Sequence, residues 1–230
     1  MAFNREQTKR AQAGVVIAIL VLAVLLLVFV LSGALTPRSA TRAAGSSAAS
    51  TSAPAPSATG TAAAGESSPS DVDASFSAAE EQLKAQYEAD PSNPAALLNL
   101  ANGYFDWGAS AMGVATTDEE RARARELFSS AIDSYDEYLA KNPESKAVIV
   151  DRAISIFYTG DTTRAISELE AFTKKDADFG PAWANLGMFY EAAGRTDDAR
   201  AAYERAIETD PDNTYQVKTY AEQRLQALGS

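Results

Sequence analysis

Histidine and cysteine are both absent from the 230 residues of this chain. Without histidine, the protein lacks the side chain that most often acts as a general acid or base near neutral pH. Without cysteine, it has no thiol nucleophile, no disulfide and no thiolate metal ligand. We therefore expect no enzyme, no catalytic residue, no metal site and no cofactor. An enzymatic role would require an active site shared with a partner chain.

Basic residues are scarce in the larger part of the chain. The chain has 20 Lys and Arg residues and 31 Asp and Glu residues. Residues 1–70 contain five of the basic and two of the acidic ones, so residues 71–230 carry 15 basic and 29 acidic residues, a net charge of −14. A surface of that sign repels phosphate backbones, so nucleic acid is excluded as a partner. The acidic runs, such as Asp118 to Glu120, stand where helix starts favour carboxylates and are interpreted as caps.

One long hydrophobic run is present. Residues 14–35 contain 22 positions without a charge, enough for about 33 Å of helix against a hydrocarbon core of about 30 Å. The run predicts a transmembrane helix in contact with the lipid bilayer. A cleaved signal peptide is the alternative, but its apolar region usually has only about 7 to 15 residues.

The flanking charges predict how this segment is oriented. Arg5, Lys9 and Arg10 precede it, whereas Arg38 and Arg42 follow it, and the excess of positive charge favours the amino terminus inside the cell. We expect a single-pass protein of the cell membrane, with residues 1–13 as a short cytoplasmic tail and everything after the span outside the cytoplasm.

Residues 36–70 are dominated by Ala, Ser, Thr, Gly and Pro. Such a segment has too little apolar surface to offset the entropy lost on folding, so we predict a disordered linker. It would hold a domain comprising residues 71–230 at a distance from the membrane.

The clearest pattern lies in residues 180–213. Trp183, Leu186, Gly187 and Tyr190 occur at i, i+3, i+4 and i+7, which places them on one face of a helix, and Gly187 leaves room for a second helix. Gly194 then ends the first helix. The second helix repeats the spacing with small residues at the contact, and its stripe consists of Ala199, Tyr203 and Ala206, followed by Pro211. This segment resembles the tetratricopeptide repeat (TPR) family, whose unit is a helical hairpin.

Two earlier segments carry the same pattern. Residues 146–179 place Gly160 at the turn, and residues 94–145 contain a repeat lengthened by 18 residues. We predict that this first repeat turns at Gly108, has a loop at 109–116 and begins its second helix near residue 118. Flanking helices are predicted at 76–90 and 214–228. The fold class is therefore all-α, a TPR solenoid preceded by one transmembrane helix and a linker.

The family resemblance implies that the first helix of each hairpin lines a concave, partner-binding groove. Carried onto this sequence, it predicts a mostly apolar groove that takes a protein or peptide segment. Basic side chains that would bind a terminal carboxylate are absent from these positions, where only Asn102 fits such a clamp. The expected groove residues are Leu98, Asn102, Phe105, Asp106, Val150, Ile154, Phe157, Tyr158 and Met188.

The alternative for these apolar side chains is a filled core in which they pack on the terminal helix or the insertion. For the whole protein, the resemblance suggests a membrane-anchored, bacterial-type TPR scaffold for protein–protein contacts at the cell envelope. Two alternatives stay open. One is an assembly chaperone that holds an apoprotein or secreted client, as in cytochrome c maturation. The other is a structural subunit that self-associates, and the sequence does not determine the oligomeric state.

Overall fold

The computed structural model describes residues 68–229, which contain eight α-helices and no strand. The helices are numbered here in chain order within that range. They are α1 (Pro69–Ala89), α2 (Pro94–Val114), α3 (Asp118–Lys141), α4 (Lys146–Thr159), α5 (Thr162–Lys175), α6 (Gly180–Ala192), α7 (Thr196–Thr209) and α8 (Val217–Gly229).

Each helix packs against the next one along the chain. Three hairpins follow, α2 with α3, α4 with α5, and α6 with α7, and α4 also lies against α6. The first helices of the second and third hairpins therefore lie side by side, as expected for stacked repeats. One apolar cluster runs through all three hairpins and includes the fully buried Phe105, Ile154 and Phe189.

The turns within the second and third hairpins use glycine in a conformation that other residues rarely adopt. Gly160 has φ 103° at the end of α4, and Gly194 has φ 74° after α6. Both positions were predicted as turns from the repeat spacing. A left-handed residue at this place lets the chain leave the helix without a steric clash at Cβ.

Helices α6 and α7 approach each other most closely at Gly187. A Cβ atom added there would lie 2.6 Å from Cε1 of Tyr203. The Tyr203 ring is fully buried, and its hydroxyl donates a hydrogen bond of 2.6 Å to Oε2 of Glu191. The structure thus confirms the sequence-based inference that Gly187 makes room for the second helix.

The first hairpin differs from its prediction. Gly108 does not end α2, which continues to Val114, so the expected loop at 109–116 is wrong for its first six residues. The physical reason is a contact across the hairpin: a Cβ atom at Gly108 would lie 3.2 Å from the Phe128 ring. The insertion lengthens both helices, to 21 and 24 residues. Helix α3 begins at Asp118, and Thr117 and Glu120 form its capping box.

This extension has an apolar cluster of its own, which α1 completes. Helix α1 begins at Pro69, seven residues before the predicted start at residue 76, and its added turns carry Asp73. The indole N–H of Trp107 donates to Oδ1 of Asp73 at 2.7 Å, and the Phe76 ring stacks on the indole at 6.4 Å. The buried members of the cluster are Val72, Trp107, Ala111, Ala124 and Leu127.

The last helix closes the other end of the stack. Helix α8 begins at Val217 rather than at residue 214, because Asn213 and Gln216 adopt positive φ angles of 54° and 59°. Val217 and Ala221 are fully buried. The Nε group of Arg224 donates to Oε2 of Glu191 at 2.9 Å, which fixes α8 against α6.

The membrane segment and the linker predicted from the sequence lie outside the described residues: residues 14–35 entirely, and the linker up to residue 67. Within residues 68–229, no helix is both long and apolar enough to cross a bilayer.

Candidate partner-binding groove

The structure divides the nine predicted groove residues into two groups. Four of them have exposed fractions of 0 to 4% and belong to the central core: Phe105, Val150, Ile154 and Met188. Their side chains are packed between helices, which leaves them almost no surface for a partner. At these four positions, the filled core that the sequence left as an alternative is what the structure contains.

The other five residues keep some exposed surface. They are Leu98, Asn102, Asp106, Phe157 and Tyr158, all on α2 or α4. Aromatic contacts hold the two α4 members in place. The Tyr158 ring stacks on Phe128 at 4.8 Å, and the Phe157 ring stacks on Phe189 at 4.6 Å. These side chains present a rigid edge, because rotation of either ring would break a stacked pair.

A buried polar cluster lies between α2, α3 and α4. Asp151 of α4 is only 6% exposed, and its Oδ1 atom has no hydrogen-bond partner among the described residues. The Oδ1 atom of Asp106 on α2 is buried in the same way. In the same cluster, the Tyr135 hydroxyl of α3 donates to Oδ1 of Asn102 on α2 at 2.8 Å. Buried polar atoms are rarely left without a partner, so the two aspartates require an explanation.

Burial changes the acidity of these groups. Loss of solvation and, to a smaller extent, the negative charge of Asp106 raise the pKa of Asp151 to about 7. Loss of solvation also raises the pKa of Asp106 to about 6. The pKa of Tyr135 is raised well above its usual value by burial and by the charges of both aspartates. The Tyr135 proton therefore stays in place and is held by Asn102.

Tyr158 contributes a third buried oxygen without a partner. Its hydroxyl makes no hydrogen bond within residues 68–229. Burial raises the pKa of this hydroxyl, and the nearby Tyr220 raises it further. The end of α4 is therefore within electrostatic reach of α8, and Tyr158 remains a neutral hydroxyl that can both donate and accept.

The cation nearest to Asp151 in sequence is engaged elsewhere. Nε of Arg152 lies 2.6 Å from Oδ1 of Asp136, and its Nη1 lies 3.2 Å from Oε2 of Glu168. Arg152 and Glu168 also line an open cleft of about 460 Å³ between α3, α4 and α5. The charges in that cleft are paired with each other, whereas no ion pair within residues 68–229 involves Asp106 or Asp151. The α2–α4 surface is therefore the better candidate for binding.

Asn102, Asp106 and Tyr158 were among the groove residues expected from the sequence, whereas Asp151 was not. The family template assigns the groove to fixed positions of each repeat, and Asp151 stands one residue after such a position. A signal was nevertheless present, because Asp151 is the only acidic residue of α4 and directly follows four apolar residues, 147–150. A carboxylate inside an apolar helix is costly to bury unless it has a partner.

The hairpins and their stacking define a helical-repeat solenoid. A family model described as tetratricopeptide repeat matches residues 150–214, which cover most of α4, the following three helices and the turn after α7. The chain therefore contains tetratricopeptide repeats, and its described part is an all-α TPR solenoid. The matching family is a repeat family rather than a catalytic one.

Two curated fungal proteins are similar to part of the chain. The small glutamine-rich tetratricopeptide repeat-containing protein 2 of Mycosarcoma maydis is 29% identical over 126 residues, which are 50% of this chain and 36% of that protein. The heat-shock protein cognate (HSC) co-chaperone sgt12 of Aspergillus fumigatus is 30% identical over 89 residues, 39% of this chain and 26% of the relative. The chain thus spans only about a third or less of these relatives.

Two solved structures are similar to part of the chain, both at low identity and with TM-scores below 0.5. The crystal structure of MamA is 24% identical with a TM-score of 0.46, covering 69% of this chain and 86% of MamA. The first TPR of Spaghetti (RPAP3), bound to the HSP90 peptide SRMEEVD, is 20% identical with a TM-score of 0.43, covering 61% and 97%.

Proposed function

We propose that this protein is a membrane-anchored scaffold that binds a segment of another protein along α2 and α4. The observation that carries the proposal is the set of buried, unpartnered oxygens of Asp106, Asp151 and Tyr158 on the first helices of two adjacent hairpins. Side chains of this kind are costly in a finished core, and a bound segment would supply their missing hydrogen bonds.

Membrane attachment is the second part of the proposal, and it rests on the sequence. Residues 14–35 form an uncharged stretch long enough to span a bilayer, and residues 36–67 have the composition of a flexible linker. The solenoid would then be displayed at the cell envelope, outside the cytoplasm, with the amino terminus inside. The proposed role is binding without catalysis.

The chaperone alternative gains support from the curated relatives, because one of them is named as an HSC co-chaperone. This chain would then hold a client segment during assembly or secretion rather than join two permanent components. The same surface serves both roles, and the lifetime of the complex separates them. A self-associating subunit differs from both, since its partner is a second copy of the chain.

A photo-crosslinking experiment tests the scaffold proposal. The full chain is produced in its source membranes with p-benzoylphenylalanine at Leu98, which is partly exposed on α2, or at Ala140, which is exposed on α3. We expect Leu98 to capture a defined partner band and Ala140 to capture none, because the partner lies along the first helices.

Three results would count against this proposal in different ways. Capture only at Ala140 would place the binding surface on the second helices. Capture of a product with twice the mass of the chain would identify a self-associating subunit. If neither position gives a crosslinked product, the evidence for a partner on α2 is removed.

A further inference from the structure

Two buried carboxylate oxygens on neighbouring hairpins lack a hydrogen-bond partner within residues 68–229: Oδ1 of Asp106 on α2 and Oδ1 of Asp151 on α4. Asp106 stands one helical turn after Asn102, which accepts a hydrogen bond from the Tyr135 hydroxyl of α3. The charge of Asp106 acts on Asp151, and the charges of both act on Tyr135, so the two carboxylates lie near one another. These two oxygens need a partner group that donates hydrogen bonds.

Donors from the surrounding residues are already in use. The Tyr135 hydroxyl, on which the charges of both aspartates act, donates to Oδ1 of Asn102. The guanidinium of Arg152 is bound by Asp136 and Glu168. The two carboxylates repel each other, and neither has a hydrogen-bond donor nearby. A cation that donates hydrogen bonds to both would relieve the repulsion.

The chemistry of the site selects the charge and shape of its ligand. A guanidinium group has five N–H donors in a planar fork and can bind two carboxylates at once, and an ammonium group has three donors. A carboxylate or phosphate would be repelled by both aspartates and by the net charge of −14 on residues 71–230. Asp106 is only partly buried as a residue, so the side of α2 offers an entry for the ligand.

We infer that Asp106 and Asp151 bind the cationic end of one arginine or lysine side chain in the partner segment. This inference rests on the proposed function and specifies its partner as a basic segment. It also explains why the groove contains acidic side chains where a clamp for a terminal carboxylate would need basic ones.

A peptide titration tests the charge of the ligand. The full chain in micelles of an uncharged detergent is titrated against a fluorescein-labelled peptide of about ten residues in which leucine and arginine alternate, and binding is followed by fluorescence anisotropy. The matched peptide replaces each arginine with citrulline, which has the same shape without the charge. We expect the arginine peptide to bind at least about tenfold more tightly.

Two double variants test the location. Asp106→Asn with Asp151→Asn removes both charges of the site, and we expect it to weaken arginine-peptide binding about tenfold and to leave citrulline-peptide binding unchanged. Asp133→Asn with Glu204→Gln changes the net charge by the same amount at two exposed positions on α3 and α7. This control is expected to alter arginine-peptide affinity by less than about twofold. Circular dichroism verifies that each variant is folded, which we expect because removal of the repulsion does not disturb the core.

Three outcomes would overturn the cation site. Equal weakening by the two double variants would show attraction to the overall charge rather than to this site. Equal affinity for the two peptides would show that charge is not recognised, although a bound segment would still agree with the scaffold proposal. If neither peptide binds, recognition of basic segments is contradicted. Crosslinking at Leu98 would still test the proposed function independently.

Discussion

Replacing Gly187 with alanine is expected to lower the free energy of unfolding by about 2 to 3 kcal/mol. The added methyl group would lie 2.6 Å from Cε1 and 2.7 Å from Cδ1 of the Tyr203 ring. That ring is fully buried, and its hydroxyl is hydrogen-bonded to Glu191, so it has little freedom to move away. Helices α6 and α7 would have to separate, and the gain in helix propensity of about 1 kcal/mol offsets only part of the cost.

Chemical denaturation of the full chain in an uncharged detergent measures this effect. Gly229→Ala is the matched control, because Gly229 is also helical but a Cβ atom there would meet nothing within 4 Å. We expect the control to change stability by less than about 1 kcal/mol. Equal stabilities for the two variants would show that α6 and α7 do not pack as closely as described.

Replacing Asp151 with asparagine is expected to stabilise the protein at pH 8 by about 2 to 4 kcal/mol. The carboxyl group has a pKa of about 7 in the folded protein, against a usual value of 3.8, because of burial and then the charge of Asp106. The folded state therefore binds this proton more tightly than the unfolded state does. The stabilisation that this tighter proton binding gives to the folded state is fully present below about pH 4. It is lost as the pH rises through about 7 and does not change further above that.

Asparagine keeps the shape of the neutral acid and removes the titration. The expected result is a variant whose stability between pH 4 and pH 8 changes less than that of the wild type, measured by urea unfolding at several pH values. Asp133→Asn, at an exposed position of α3, should leave the wild-type pH dependence unchanged. A lower stability of Asp151→Asn than of wild type at pH 8 would mean that the ionised carboxylate is stabilised by a donor in the folded protein.

The second and third hairpins could be predicted from the sequence because their signals are local. Gly160 and Gly194 end their first helices by adopting positive φ angles, and Gly187 is small where Tyr203 is large. Each of these features is set by residues within one repeat of 34 positions. A helical spacing of apolar residues and a turn glycine are sufficient to define such a hairpin.

The first hairpin could not be predicted at the same level because its signals depend on distant residues. Gly108 stands where the repeat spacing places a turn, yet it lies inside α2 and accommodates the Phe128 ring from α3. That contact requires the register between two long helices, and the sequence pattern does not give it. The hydrogen bond between Trp107 and Asp73, which helps α1 to complete this extension, likewise joins residues 34 positions apart.

The candidate groove shows the limit of a family template. The template specifies which positions of a first helix face the groove, but it does not specify what covers them. Phe105 is buried because the Phe128 ring meets it edge to face at 5.6 Å, and Phe157 is held by its stack on Phe189. Asp151 was missed because its importance comes from burial and from its nearness to Asp106, which are properties of the packed hairpins.

Hydrogen–deuterium exchange tests most directly whether a basic segment binds along α2 and α4. The full chain is compared with and without a saturating amount of the leucine and arginine peptide. Our account predicts slower exchange in fragments covering residues 98–110 and 150–159, and no such change when Asp106 and Asp151 are both asparagine. Slower exchange confined to α5 and α7, or equal protection in the double variant, would contradict it.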